Sequence, residues 1–453
     1  MILVKFHVRR WLPAIALTLT ACASQVPLVA DEAPRLAARW PAVYGEGSAA
    51  AIGFGLPELD AVLTRAQAEN LDMRTALARI EQARATARVS AAGVFPSLTG
   101  NASTQRNRQP GADPSDLFGA GGTLAYEVDL WGRNRSLAEG GRAALASSEA
   151  FRDAVRLSVQ GDTATAWFQL LSINDRIATA QRNVATSERL LGLIVAQKTA
   201  GRVSALEVAR QRNQVAVNRA ALAALVGQRP LVRNALAILT GQPPDAAPDQ
   251  DGGLRQLNVP QPTTGEPAEL LARRPDIRQA ELDLVAAKAN LAAARAAILP
   301  RLDLSVRGAL QSAVAGDLLQ ASSGLYALAA SLTQTVFDGG RLEGQAQLSA
   351  GIQRERLVRY LQVVLQAQKE VADALANLDS ASQQEQAQRE AAAAAAEALA
   401  LAELRFAAGA EDYSTVLDAQ RTVYTAETAI DIARLGRFSA LVALSRALAV
   451  RIE

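Results

Sequence analysis

Two stretches of the chain alternate between apolar and polar side chains with a period of two. In residues 301–311 and 326–335, and again in residues 97–105 and 123–130, apolar side chains fall mainly on one parity and polar side chains on the other. This alternation predicts strands with one apolar and one solvated face. Strands of about ten residues with such faces are typical of membrane β-barrels that enclose water. The pattern therefore predicts a β-hairpin at 97–130 and a second one at 301–337.

Most of the remaining chain has a helical pattern. Residues 134–200 contain no proline, and an unbroken helix of that length would reach roughly 100 Å. Gly201 interrupts the run, so we expect a long helical hairpin at 134–240 and, around Gly409, another at 341–452. A shorter helix is expected at 57–92. A coiled-coil spacing of four and three residues is kept by Ile173, Ile177, Ala180, Val184, Ser187, Leu191 and Ile194.

The second half of the chain repeats the first. The offset between matching positions grows along the chain from 204 (276 − 72) through 208 (409 − 201) to 209 (420 − 211). The pairs are Asp72 with Asp276, Gly201 with Gly409, and Gln211 with Gln420. Such a small drift indicates one duplicated unit with short insertions in loops. The expected organisation is a first repeat at 57–241, a proline-rich linker at 242–266 and a second repeat at 267–453.

The first 22 residues have the pattern of a bacterial lipoprotein signal. Three basic residues (Lys5, Arg9 and Arg10) precede a ten-residue apolar run that is too short to span a bilayer. Small residues lie directly before Cys22, as in a lipoprotein cleavage box. The sequence therefore predicts a signal peptide at 1–21, acylation of Cys22, and an acylated tether at 22–56. Ala23 follows the cysteine, and the absence of aspartate there resembles lipoproteins that are sorted to the outer membrane.

The composition argues against several classes of function. His7 is the only histidine and Cys22 the only cysteine, so the processed chain would have no histidine-based triad or metal site. No phosphate-binding loop or nucleotide fingerprint is present. We therefore expect no enzyme activity, cofactor or metal. The net charge of +2 becomes −1 (2 − 3) after processing, which gives no case for nucleic-acid binding.

Two hairpins supply only four strands, and four strands do not close a barrel. In lipid, each open strand edge would leave backbone groups without partners, at several kcal/mol apiece. The strands must therefore be completed by other copies of the chain. Three copies would provide twelve strands and twelve long helical segments, so we expect a homotrimer.

Four motifs resemble those of a known family. Together they span nearly the whole processed chain: Tyr-Glu-Val-Asp-Leu-Trp-Gly-Arg at 126–133, Arg-Arg-Pro-Asp-Ile-Arg at 273–278, Val-Phe-Asp-Gly-Gly-Arg at 336–341 and Val-Leu-Asp-Ala-Gln at 416–420. The chain resembles the TolC-like outer-membrane efflux proteins, in particular the lipoproteins that serve resistance-nodulation-division pumps. This resemblance implies a mainly α fold with membrane β structure: a homotrimeric, 12-stranded transmembrane β-barrel continued by a long periplasmic α-helical barrel.

The same resemblance implies a passive exit duct in a tripartite efflux system. An inner-membrane pump and a periplasmic adaptor would deliver drugs or other small solutes to it. A duct for type I protein secretion is the alternative within transport. A non-conducting structural lipoprotein is the alternative of another class. The strands with a solvated face argue against it, because a lipoprotein that only spaces the membranes needs no such strands.

The resemblance also places functional residues at the two helical breaks. It implies a periplasmic gate that includes Asp418, Ser414, Tyr413 and Arg405, and adaptor docking at Gly201, Arg202, Val203, Ser204, Gly409, Ala410 and Glu411. Three copies of Asp418 would form an acidic ring suited to cations; an ordinary surface aspartate is the alternative. Each break is equally explained as a glycine C-cap followed by a capped helix start. Ser414 stands where the family often has leucine, so an apolar plug is not expected there.

Replacement of the acylated cysteine gives the first test. Cys22→Ser should abolish labelling of the protein by palmitate, because serine offers no thiol to the acylation machinery. Ser24→Ala keeps the cysteine and should keep the label. Unchanged labelling of the Cys22→Ser variant would refute acylation at this position.

Overall fold

The computed structural model describes residues 51–111, 113–262 and 269–452. The predicted signal peptide and Cys22 lie outside these residues, as does most of the tether. The helices of the described part are α1 (Pro57–Glu69), α2 (Leu71–Ala92), α3 (Arg133–Thr199), α4 (Ala205–Leu239), α5 (Glu269–Arg273), α6 (Pro275–Ala296), α7 (Arg341–Ala407) and α8 (Tyr413–Ala447). Its strands are β1 (Ala51–Ile52), β2 (Ser97–Asn107), β3 (Ser115–Val128), β4 (Arg301–Ser312), β5 (Gly324–Thr333) and β6 (Arg451–Ile452). No helix among the described residues has both the length and the apolar character needed to cross a bilayer.

The described residues form two compact units. The sheet unit comprises Arg88–Gly141 and Leu284–Val358. It contains a four-stranded antiparallel sheet in the order β2-β3-β4-β5, so the two hairpins are joined through β3 and β4. The helical unit comprises the described parts of Pro34–Ala87, Arg142–Asp283 and Arg359–Glu453.

The strand register sorts the side chains of the sheet into two faces. One row across the sheet takes one apolar residue from each strand: Leu98, Leu124, Val306 and Leu328. The adjacent row, which points to the opposite face, consists of Ser97, Ala125, Ser305 and Ala329. Because successive side chains of a strand point to opposite faces, the sheet has one apolar face and one polar face, as the alternation predicts.

The third strand begins earlier than its sequence indicates. The alternating pattern is clear only from Thr123, but β3 begins at Ser115. The alternation of apolar and polar side chains is not visible before Thr123, because positions 119, 121 and 122 are glycines without side chains. A Cβ atom on Gly121 would lie 2.6 Å from the carbonyl oxygen of Gly308. Glycine is therefore needed here because β3 and β4 approach closely.

An aspartate side chain fixes each junction between a strand and a long helix. Asp129 accepts hydrogen bonds from the backbone N–H groups of Asn134 (3.2 Å) and Arg135 (2.9 Å) at the start of α3. Asp338 accepts three such bonds, of 3.0 to 3.1 Å, from residues 340–342 at the start of α7. The first N–H groups of a helix lack intrahelical partners, so these carboxylates satisfy them where each strand ends.

The core of the helical unit is aromatic at its centre. Phe168 of α3 and Phe438 of α8 are fully buried, and their ring centroids lie 4.7 Å apart. Phe54 packs against both rings. Short parallel pairing of β1 with β6 joins the two ends of the described chain beside this core.

The proline-rich segment predicted as a linker is held against the helices over its described residues. Leu254 is 1% exposed, and its carbonyl oxygen accepts a 2.7 Å hydrogen bond from Nε of Arg434 in α8. Arg255 forms a 2.7 Å ion pair with Asp431, whose side chain is fully buried. The described residues of this segment form no long helix, and they are part of the packed helical unit.

A buried carboxylate stabilises the arginines beside this segment. Glu385 of α7 is 1% exposed and forms ion pairs with Arg434 (2.8 Å), Arg437 (3.1 Å) and Arg389 (2.5 Å). Burial alone would raise the pKa of this carboxyl. Hydrogen bonds from Arg437 and Arg434, together with the positive charges of Arg389 and Arg434, outweigh burial and hold its pKa below the ordinary value. The carboxylate therefore stays ionised and keeps Arg434 in place.

Three pairs of corresponding helices in the two repeats are equal in length. α2 and α6 each have 22 residues, α3 and α7 each have 67, and α4 and α8 each have 35. Their starts are offset by 204 (275 − 71) and then by 208 (341 − 133 and 413 − 205). The further step to 209, read from Gln211 and Gln420, has no counterpart in the helix bounds. The change in length therefore lies between the starts of the strands and the starts of the long helices.

The helix predicted at 57–92 is interrupted at Asn70. The Asn70 side-chain oxygen accepts hydrogen bonds from the backbone N–H groups of Asp72 (2.8 Å) and Met73 (3.2 Å), and so caps α2. Its amide nitrogen donates a 2.9 Å bond to the carbonyl oxygen of Leu239 at the end of α4. One buried side chain thus starts one helix and binds the end of another.

Asn70→Ala should lower the free energy of unfolding of the helical unit by about 2–3 kcal/mol, because it removes a helix cap and leaves a carbonyl without its donor. Urea unfolding followed by the helical circular-dichroism signal measures the loss. Thr75→Ala, at an exposed position of α2, should change the midpoint little. Equal midpoints for the Asn70→Ala variant and the parent would contradict this assignment.

Candidate channel wall and helical tips

The polar face of the sheet carries four charged side chains within the described strands. Among these four, Arg301 lies 2.8 Å from Asp303. Glu127 lies 3.0 Å from Arg133, which belongs to α3 and not to the strands, so three of the four charges are paired. The fourth charged residue, Arg307, is exposed. The other side chains of this face are mainly Ser, Thr, Asn, Gln, Gly and Ala. Such a face suits contact with water, while the opposite face suits contact with lipid.

The two helical breaks have the same backbone geometry. Gly201 and Gly409 each have a φ of 74°, a conformation that favours glycine. At the first break, Gly201 N–H donates to Lys198 O and Arg202 N–H to Gln197 O, both at 2.9 Å. At the second, residues 409 and 410 donate in the same pattern at 3.0 and 2.9 Å. Both breaks are therefore Schellman C-caps.

The helices that follow the breaks begin differently. Ser204 and Glu207 form a capping box at the start of α4, in which Leu206 N–H donates to Ser204 Oγ at 3.1 Å. Asp412 precedes α8, but its side chain makes no capping hydrogen bond. The expectation of a capped helix start thus holds at the first break and not, by side chain, at the second.

The two helical breaks, around Gly201 and Gly409, are the tips of the two helical hairpins. One apolar cluster, which we call the tip core, lies beside both tips. It brings together α3, α4, α7 and α8 through Leu190, Ile194, Val208, Ala402, Phe406, Tyr413, Val416 and Leu417, with Val203 packed against it. The ring centroids of Phe406 and Tyr413 lie 5.8 Å apart. The two helical hairpins of the chain are therefore joined to each other close to their turns.

Tyr413 lies inside the tip core and is 4% exposed. Its hydroxyl donates a hydrogen bond to Gln211 Oε1, and Gln211 Nε2 donates to Ser187 O at 2.7 Å. Burial raises the pKa of Tyr413 to about 12, so the phenol remains a donor at ordinary pH. The sequence predicts Tyr413 as part of a gate; the structure gives it the position of a residue that holds helices together.

The polar contacts continue along α4 to an arginine of α8. Asn218 donates to Ser187 Oγ at 3.2 Å, Gln214 donates to Asn218 at 2.9 Å, and Nε of Arg421 donates to Gln214 at 2.8 Å. Sequence reasoning identified Gln211 only as the repeat partner of Gln420, and it did not identify Gln214 or Asn218. Their spacing of three and four residues was the available signal, because it places all three on one face of α4.

Asp418 and Ser414 lie on an exposed face of α8, four residues apart. The Asp418 side chain is 77% exposed, and its carboxylate lies 3.9 Å from Arg421. An ion pair at that distance and exposure contributes little to stability. The carboxylate is therefore available to solvent or to a neighbouring chain.

The remaining tip residues are mostly accessible. Arg405 lies 3.4 Å from Glu411, within the second tip. Exposed or half-buried positions are held by Gly201, Arg202, Val203, Ser204, Gly409, Ala410 and Glu411. No group of three or more His, Cys, Asp or Glu side chains in the described ranges is placed to hold a metal ion.

Comparison with known proteins identifies the family. The model of the outer membrane efflux protein family matches residues 62–242 and again residues 267–450, so each repeat matches separately. The pyoverdine export outer membrane protein OpmQ of Pseudomonas aeruginosa is 33% identical over 407 residues, covering 87% of this chain and 85% of that protein. The outer membrane protein OprJ of the same species is 33% identical over 451 residues, covering 96% and 94%.

Solved structures agree with these relatives. The MtrE outer membrane channel of Neisseria gonorrhoeae in its open state matches with a TM-score of 0.86 and 30% identity, covering 94% of this chain and 97% of that one. CusC matches with the same TM-score and 25% identity, covering 94% and 99%. The fold is therefore TolC-like and internally duplicated. The chain belongs to the outer membrane efflux protein family, whose members are transport ducts of the outer membrane and not enzymes.

Proposed function

We propose that three copies of the chain close into one 12-stranded barrel, continued by their helices as a periplasmic tunnel. The sheet of one chain ends in β2 on one side and β5 on the other, and within the described residues no strand lies beyond either edge. Unpaired edge groups are costly in lipid. With four antiparallel strands per copy, β5 of one copy continues the alternation when it lies beside β2 of the next.

The trimer would act as a passive exit duct for drugs or other small solutes. The observation that carries this function is the two-faced sheet, whose apolar rows suit lipid while its polar rows suit a water-filled lumen. An inner-membrane pump and a periplasmic adaptor would supply the solutes. Acylation of Cys22 would add a lipid anchor in the outer membrane.

Asp418 is the residue that we assign to the periplasmic gate. Its exposed carboxylate lies near the start of α8, and three copies around one axis would form an acidic ring. Ser414 lies on the same helix face and supplies no apolar plug. Tyr413 positions this helix through Gln211, while Arg405 pairs with Glu411 within the tip.

The adaptor would dock on the helical tips. The two breaks of one chain share their backbone geometry, so a trimer would present six similar turns. Their accessible residues are small or polar: Gly201, Arg202 and Ser204 in one turn, and Gly409, Ala410 and Glu411 in the other. Such turns suit end-to-end contact with the tip of a helical hairpin of the adaptor.

Chemical cross-linking in detergent should yield a trimer, because the sheet of one chain has two open edges. Mass photometry of the uncross-linked protein checks the same stoichiometry. A stable monomer that keeps its strand content would contradict the proposed barrel.

Asp418→Ala should raise single-channel conductance in planar bilayers, by about twofold, because it removes the acidic ring at the constriction. Asp412→Ala removes another exposed acid six residues earlier and serves as the matched control. If both variants conduct like the parent, Asp418 is not part of the gate.

A further inference from the structure

Arg307 is an unpaired cation on the polar face of the sheet. It lies midway along β4, is exposed, and forms no ion pair within the part of the chain that the structure describes. Placing it toward lipid would cost about 2–4 kcal/mol near the bilayer midplane. The opposite parity of β4, with Leu304 and Val306, is the apolar one. Arg307 therefore faces the lumen of the proposed barrel.

The neighbours of Arg307 are small and uncharged. Its row across the sheet holds Thr99, Thr123 and Ala327. On the same face, the rows on either side hold only uncharged side chains, with Ser305 and Ala309 next to it along β4. These side chains neither neutralise the guanidinium nor cover it.

The nearest acids along the face are already neutralised. Asp303 is four residues away on β4, about 13 Å at strand spacing, and lies 2.8 Å from Arg301. Glu127 pairs with Asp303 in the strand register and lies 3.0 Å from Arg133. The Debye length is about 8 Å at physiological ionic strength. These acids are therefore too distant, and too well paired, to cancel the charge of Arg307.

A second copy of the chain brings no acid to this position either. In the proposed barrel, β5 of one copy lies beside β2 of the next. Neither β2 (Ser97–Asn107) nor β5 (Gly324–Thr333) contains an aspartate or glutamate. The pairing of β5 with β2 of the next copy thus brings no carboxylate near Arg307, whatever the register of that pairing.

We propose that three copies of Arg307 form a cationic ring in the barrel lumen that favours small anions, such as carboxylates and phosphates, over cations. This inference rests on the proposed trimeric duct. The three side chains would be four strands apart, about 19 Å along the wall. Their fields overlap at an ionic strength of 0.01 M, where the Debye length is about 30 Å, and are separated at 1 M, where it is about 3 Å. The ring therefore acts on anions through charge, and salt weakens it.

Reversal potentials in planar bilayers under a KCl gradient test the ring. The Asp418→Ala background is used throughout, so that the acidic residues proposed for the gate do not mask the barrel. Arg307→Gln should lower the permeability of chloride relative to potassium at least about twofold at low salt. The difference should vanish in 1 M KCl, and Arg307→Lys should keep the preference of the background.

Arg106→Gln is the matched control. Arg106 lies in β2 on the opposite parity and pairs with Asp116 at 3.4 Å, so its loss should leave the low-salt ratio unchanged. If the background conducts and Arg307→Gln has the same permeability ratio, the cationic ring is refuted while the duct stands. If the parent and the background both fail to trimerise and conduct, the duct itself is refuted, and the ring with it.

Discussion

The hydrogen-bonding demand of a strand in hydrocarbon is the constraint on which the sheet depends. Lipid offers no partner to a backbone N–H or C=O group, so a strand there needs a neighbour on both sides. Within the described residues, the four-stranded sheet has three ladders and leaves β2 and β5 each with one open side. The even strand number and the proposed trimer both answer this one demand.

A different constraint governs the helices. A long helix buries one stripe of apolar side chains along its length. One inserted residue rotates all later side chains about the helix axis by about 100°, so the later part of that stripe no longer faces its partner. The equal lengths of α3 and α7, and of α4 and α8, are consistent with this rule. At the tips, Tyr413, Gln211 and Arg421 add directional hydrogen bonds across the two hairpins to the apolar contacts of the tip core.

Sequence pattern predicted what depends on local period. The hairpins, the long helices and the glycine breaks follow from spacing alone, and the positions of the coiled-coil stripe from Ile173 to Ile194 are all buried or half-buried. Contacts between distant segments were not predictable in this way. Asn70, where the helix is interrupted, also donates a hydrogen bond to Leu239, and the proline-rich segment accepts hydrogen bonds from Arg434. Tyr413 is buried by residues of the tip core, some of which belong to the other repeat, and this packing leaves no signal in the local sequence.

The two hairpin connections differ in length, seven residues at 108–114 against eleven at 313–323. Comparison of the two repeats therefore shows that the connection within a hairpin accepts four extra residues (11 − 7) without a change of fold. A peptide tag inserted in the longer connection would leave strand parity, helix phase and both tips as they are. The same tag inside α3 or α7 would rotate everything beyond it.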